Sequence, residues 1–168
     1  MAATATPQAA DTGAEGSVDA SGPTTNAEDQ RAASALRSEA EAASGATAGA
    51  AALEALPGTV IDEGVFKYVL MQVTAKTGEQ RYLVRGTVGA AYHKDVASPY
   101  AREYISQGFA VEILGGGRIA HDPFKKTIRI YGFSYGFPWT KGASHEISAE
   151  ACRAAYPEYE VEWSNEGY

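Results

Sequence analysis

The chain has 168 residues, three histidines, one cysteine and a formal charge of −7. That length allows one ordinary domain with a tail, and the single cysteine, Cys152, excludes an internal disulfide. The acidic balance argues against nucleic acid as a partner, because a surface that binds phosphate backbones must be basic.

No apolar run is long enough to span a bilayer. The first residues have neither a basic start with an apolar core nor an arginine-rich, acid-poor composition. The expectation is a cytoplasmic, monomeric protein that does not associate with membranes.

Residues 1–56 contain no aromatic residue, and their two arginines against eight acidic residues give them −6, which leaves the remainder close to neutral. Such a stretch buries too little apolar area to offset the entropy of ordering it. It is expected to be a disordered tail, 1–56, ahead of a domain at 57–168. Within it, Asn26 is a plausible N-cap for a helix over 26–43, which without packing would form only transiently.

Residues 65–74 are rich in β-branched and aromatic side chains and read as a strand. Val65, Lys67, Val69, Met71 and Val73 share one face; Phe66, Tyr68 and Leu70 share the other. With both faces largely apolar, this is a central strand covered on both sides, which makes Lys67 the odd member: it either reaches solvent at the rim or is needed where it is. Residues 76–79 make a turn, and 80–85 a second strand.

Tyr92-His93-Lys94-Asp95 lies between that strand and a helix ending at Gly108, a good C-terminal cap. Ala101, Tyr104 and Ile105 supply its apolar stripe. Its start is open: Ser98-Pro99 has the form of an N-cap and first helical residue, but a start before Asp95 fits too. Residues 109–114 and 118–121 are expected strands, joined at Gly115-Gly116-Gly117 by a hairpin or bulge. A phosphate loop is disfavoured, since the Walker pattern needs Gly-Lys-Ser/Thr before a helix.

A strand over 127–133 follows, then a long loop over 134–144 of the kind often found at functional sites. Ser148 is the expected N-cap of a second helix ending before Pro157. Residues 159–163 alternate as a last strand with one wet face. The sum is an α+β domain: one mixed sheet of about six strands with a helix packed on each face, preceded by the tail.

The three histidines and one cysteine make no convincing metal set, so no metal or other cofactor is expected. No Gly-x-Ser-x-Gly elbow exists for a serine hydrolase. What remains suits phosphoryl groups: His93 as a base at a strand-to-helix connection, Lys67, Arg85, Arg118, and glycine-rich or helix-opening backbone that donates amides. His121 reads as structural, and His145 as exposed ahead of its helix. Trp139 either packs over the pocket mouth or anchors its loop.

Several multi-residue stretches occur together in one order: Gly64 to Leu70 (GVFKYVL), Val84-Arg85-Gly86, Tyr92-His93, Leu114 to Ile119 (LGGGRI) with His121, Ile130-Tyr131-Gly132, Tyr156 to Val161 (YPEYEV) and the terminal Glu166-Gly167-Tyr168. In these the chain, from about Val60 onward, resembles the janus/ocnus family of small protein histidine phosphatases.

The resemblance implies a metal-independent phosphatase acting on phosphohistidine, and in some members phospholysine, in proteins and peptides. It puts the active-site histidine on His93 and a phosphate-holding lysine on Lys67. Anion-binding amides fall on His93, Lys94 and Gly136, with Ser134 close by, while Arg85 and Arg118 match arginines of substrate binding or site architecture. Lys94 departs from the small residue common at that place in the family. Two mechanisms stand open: His93 as general base toward water, or as nucleophile. The alternative function is a phosphohistidine- or phosphopeptide-binding or regulatory module without turnover.

Overall fold

The computed structural model describes residues 30–36 and 49–166. A six-stranded sheet runs in the order β1 (Thr59–Ile61), β3 (Gln80–Thr87), β2 (Gly64–Thr74), β4 (Ala110–Asp122), β5 (Thr127–Tyr131), β6 (Glu160–Trp163). The β1–β3 and β5–β6 pairs are parallel and the rest antiparallel, so the sheet is mixed, as expected. No helix among the described residues is long and apolar enough to cross a membrane.

The alternation along β2 sorts two cores. Val69, Met71 and Val73 pack with Val96, Ala97, Ala101 and Tyr104 of helix α2 (His93–Ser106). Phe66, Tyr68 and Leu70 pack with Ala149 and Cys152 of helix α3 (His145–Ala155) on the other face. Each helix covers one side, and β2 is the doubly buried centre that its composition predicts.

Local signals explain most of the ends. Gly78, at φ 99°, closes the β2–β3 turn, with the Ala75 amide donating to the Glu79 carbonyl at 2.9 Å. Gly108, at φ 88°, ends α2: its amide donates to Ile105 O and that of Phe109 to Tyr104 O, which is the Schellman arrangement. α3 stops at Ala155, ahead of Pro157.

Four expectations are corrected. The glycine run is not a hairpin: β4 continues through it as one 13-residue strand, pairing Gly115, Gly116 and Gly117 with Leu70, Val69 and Tyr68, and the bulge alternative holds next to it, where the register shifts at Leu114. The glycines are there for close approach, because a Cβ at Gly115 would enter the Trp139 ring and one at Gly117 would stand 2.5 Å from Tyr131 O. β1 is an added edge strand, so the count of six is reached differently.

α2 opens at His93 and runs unbroken through Pro99, with Ser98 Oγ donating back to Lys94 O at 2.7 Å instead of capping. α3 opens four residues earlier than expected: Ser144 is the cap, its Oγ accepting from the Glu146 amide at 3.3 Å, and Ser148 is buried inside the helix.

Part of the expected tail is ordered. Residues 30–36 are helical with Ala33 and Leu36 buried, and α1 (Ala50–Glu54) buries Leu53 completely. A five-residue helix does not persist alone. Burying Leu53 contributes about 1.5–3 kcal/mol, and Arg81 Nη1 takes the carbonyls of Leu53, Glu54 and Leu56 at 2.7–3.0 Å, closing the carbonyl end of the helix with a cation. The rest of the expected tail, and the ends of the expected 26–43 helix, lie outside the described residues.

Candidate active site

The site is built on the glycines of β4. A strand without side chains at Gly116 lets the opening of α2 come down onto the sheet, and the Cδ2 atom of His93 lies 3.1 Å from where a Gly116 Cβ would stand. His93 is 1% exposed, and its Nε2 is 3.0 Å from Gly117 O. A carbonyl only accepts, so the ring proton is on Nε2 and the basic lone pair is on Nδ1.

Burial is the largest influence on this ring, and the charges of Lys67 and Arg118 act in the same direction, while the bond to Gly117 opposes them. The result is a pKa lowered to about 4. At neutral pH His93 is therefore an uncharged imidazole beside two cations.

Lys67 and Arg118 are cross-strand partners on β2 and β4, on the face that α2 covers, and Lys67 is 4% exposed. A lysine so far from water is not a rim residue reaching solvent. Tyr131 of β5 completes the row beside Arg118.

The helix start adds its positive end to the same neighbourhood. Tyr92 is the N-cap residue, and its amide donates to Asp95 Oδ2 at 2.8 Å. Lys94, half-buried, places its Nζ over the Tyr92 ring, 5.4 Å from the centroid.

The loop after β5 begins beside Gly117, where a Cβ would lie 3.2 Å from Gly132 O. Ser134 is buried and its Oγ accepts from the Phe137 amide at 3.1 Å, which folds the loop around the buried Gly136. Phe137 fills the α2-side core, and Trp139 joins the other. Trp139 is thus the loop's anchor, packed over Gly115 with its ring edge-on to His145 at 5.0 Å.

Arg85 shares the α2 face but is engaged elsewhere. It is fully buried, with Nε donating to Tyr104 Oη at 2.8 Å, Nη1 to Gly58 O and Val84 O, and Nη2 to Pro57 O. Its guanidinium pins the approach to the domain onto the sheet. Sequence position alone does not separate it from Arg118, since both are arginines on strands beside glycine.

Sequence reasoning missed what lies behind Gly117. His145, expected to be exposed, is fully buried as the first residue of α3. Its Nε2 donates to Gly132 O at 2.6 Å, so its Nδ1 accepts from the Tyr68 hydroxyl at 2.6 Å; Ser148 Oγ, 3.1 Å from the same hydroxyl, must then donate to it. Burial lowers the His145 pKa. The available signal was the helical spacing of His145, Ser148, Ala149 and Cys152, all buried. His121 is structural, as expected, with Nδ1 donating to Asp62 O at 2.8 Å.

Among the described residues no three His, Cys, Asp or Glu side chains gather as a metal ion requires. The arrangement offers one neutral base, two cations and a helix start. That set can hold a tetrahedral dianion and take a proton beside it.

The profile of the Janus/Ocnus family (Ocnus) matches residues 53–160. The 14 kDa phosphohistidine phosphatase of Sus scrofa is 42% identical over 128 residues, covering 72% of this chain and 99% of that protein. Its namesake from Homo sapiens is 42% identical over 123 residues, 69% of this chain and 96% of that protein. The sex-regulated protein janus-A of Drosophila melanogaster is 34% identical over 119 residues, 68% and 86% respectively.

Proposed function

Because the chain belongs to the Janus/Ocnus family, we propose that it is a phosphohistidine phosphatase working without a metal, with His93 as its general base. The observation that carries this is the buried, uncharged imidazole of His93 beside the cross-strand pair Lys67 and Arg118.

The N–P bond of phosphohistidine breaks readily once the departing imidazole is protonated on its other ring nitrogen. The protein's tasks are to position the phosphoryl group, to stabilise charge on its oxygens and to activate water. Lys67 and Arg118 hold the oxygens, together with backbone amides at the opening of α2 (His93, Lys94) and in the Ser134–Gly136 turn. Nδ1 of His93 takes a proton from water as the water oxygen bonds to phosphorus and the N–P bond breaks. The leaving imidazole takes up the N–P electron pair and departs neutral, keeping the proton on its other nitrogen; His93 then returns its proton to solvent, and the products are histidine and inorganic phosphate.

A pKa near 4 makes a weak base. Two cations contribute to that value, and a bound phosphoryl dianion offsets them, so His93 gains basicity when substrate is present. Arg85 has an architectural role.

Release of inorganic phosphate from a phosphohistidine peptide by the purified chain tests the reading. Turnover that persists in EDTA is expected. Saturable binding of the peptide with no phosphate released would replace the phosphatase with a binding module.

A further inference from the structure

One cross-strand row carries Lys67, Arg118 and Tyr131. The next row on the same face, two residues along each strand, pairs Val65 with Ala120, Ala120 with Arg129 and Arg129 with Glu162 of β6. α2 comes down at Gly116, on the far side of the Lys67 row, and exposure climbs from 4% at Lys67 to 58% at Val65. The second row floors a groove of about 730 Å3 that also takes in Tyr131 and Glu166. The groove reaches Tyr131, whose cross-strand partner is Arg118 of the site.

We infer that this groove receives the polypeptide on either side of the phosphohistidine, and that it favours chains with an apolar and a basic residue within about three positions of it. The inference rests on the phosphatase reading. Its geometry follows from strand spacing: residues two apart on one face are about 7 Å apart. An extended substrate whose phosphohistidine enters the Lys67–Arg118 row therefore sets its next same-side residue over Val65 and Ala120.

The charge of the groove chooses the second residue. Arg129 faces Glu162 at 4.0 Å, which leaves Glu166 as a net negative charge at the open end. A lysine or arginine from the substrate completes the balance, whereas an acidic one is repelled.

Two synthetic peptides test this, each with leucine two positions to either side of the phosphohistidine and either lysine or glutamate one position further, with free phosphohistidine as a reference too short to reach the groove. The lysine peptide should show a kcat/KM about fivefold above the glutamate peptide, the upper end for one exposed ion pair. Glu166→Lys, at an exposed side chain, should erase or reverse that ratio, and Val65→Asp should lower both peptides relative to free phosphohistidine. Equal rates on the two peptides, with free phosphohistidine hydrolysed, would overturn the groove and leave the phosphatase standing. Hydrolysis of none of the three would overturn both.

Discussion

His93→Ala is expected to lower kcat on a phosphohistidine peptide by at least about a hundredfold, since a positioned general base supplies about 10²–10⁴. KM should change far less, because the cations that hold the phosphoryl oxygens stay in place. Phosphate release under saturating peptide measures this, with circular dichroism to show that the buried site still folds. Loss of the ring also removes the bond to Gly117 O, so some destabilisation accompanies the kinetic loss. A variant retaining a tenth or more of native turnover would remove His93 from the chemistry, whether as base or as nucleophile.

Lys67→Met is the second large effect. Methionine keeps the apolar stem that fills this buried position and deletes only the charge. A hydrogen bond to a charged group contributes about 1.5–3 kcal/mol, so kcat/KM should fall by a factor of about 10–150, most of it in KM. There is an independent readout. The Lys67 charge is one of the influences that lower the His93 pKa, so removing it must let that pKa rise. Unchanged kinetics with a raised His93 pKa would make Lys67 an electrostatic neighbour and not a phosphate ligand.

The elements that local chemistry dictates were legible. The face alternation of β2, the turn at Gly78, the end of α2 at Gly108 and the stop before Pro157 each rest on one or two residues and their backbone preferences. His93 stood out because it combines a titratable ring with a strand-to-helix connection. Lys67 stood out because a lysine interrupts an apolar face.

What failed depends on contacts between residues far apart in sequence. Three glycines in a row carry the same local signal whether they turn a chain or clear space for Trp139, His93 and His145 to approach it. Ser144 and Ser148 are equally good caps by composition; the choice is made by Tyr68, 80 residues from Ser148, whose hydroxyl needs partners in the core. Ser98-Pro99 has the form of a helix start, yet packing of Val96, Ala97, Ala101 and Tyr104 holds one helix through it from His93.

Arg85 and Arg118 illustrate the same limit at the site. Both were candidates for phosphate binding, and both lie on the face that α2 covers. Only the fold reveals that Arg85 is taken up by Pro57, Gly58 and Tyr104, while Arg118 acts on His93. The segment that Arg81 holds, Leu53 to Leu56, falls in the expected tail, because nothing in its composition announces an arginine from a later strand.

The state of the His93 ring is the point on which the mechanism turns, and its titration by NMR is the direct test. In the free protein the ring should stay neutral until the pH approaches about 4, and inorganic phosphate should raise that value by offsetting Lys67 and Arg118. The sign carries to stability: the unfolded imidazole, near 6.5, takes a proton that the folded one refuses, so this group's contribution is present above about pH 6.5 and is lost as pH falls toward 4. A ring that titrates near 6.5 and ignores phosphate would contradict a neutral base set beside two phosphate-holding cations.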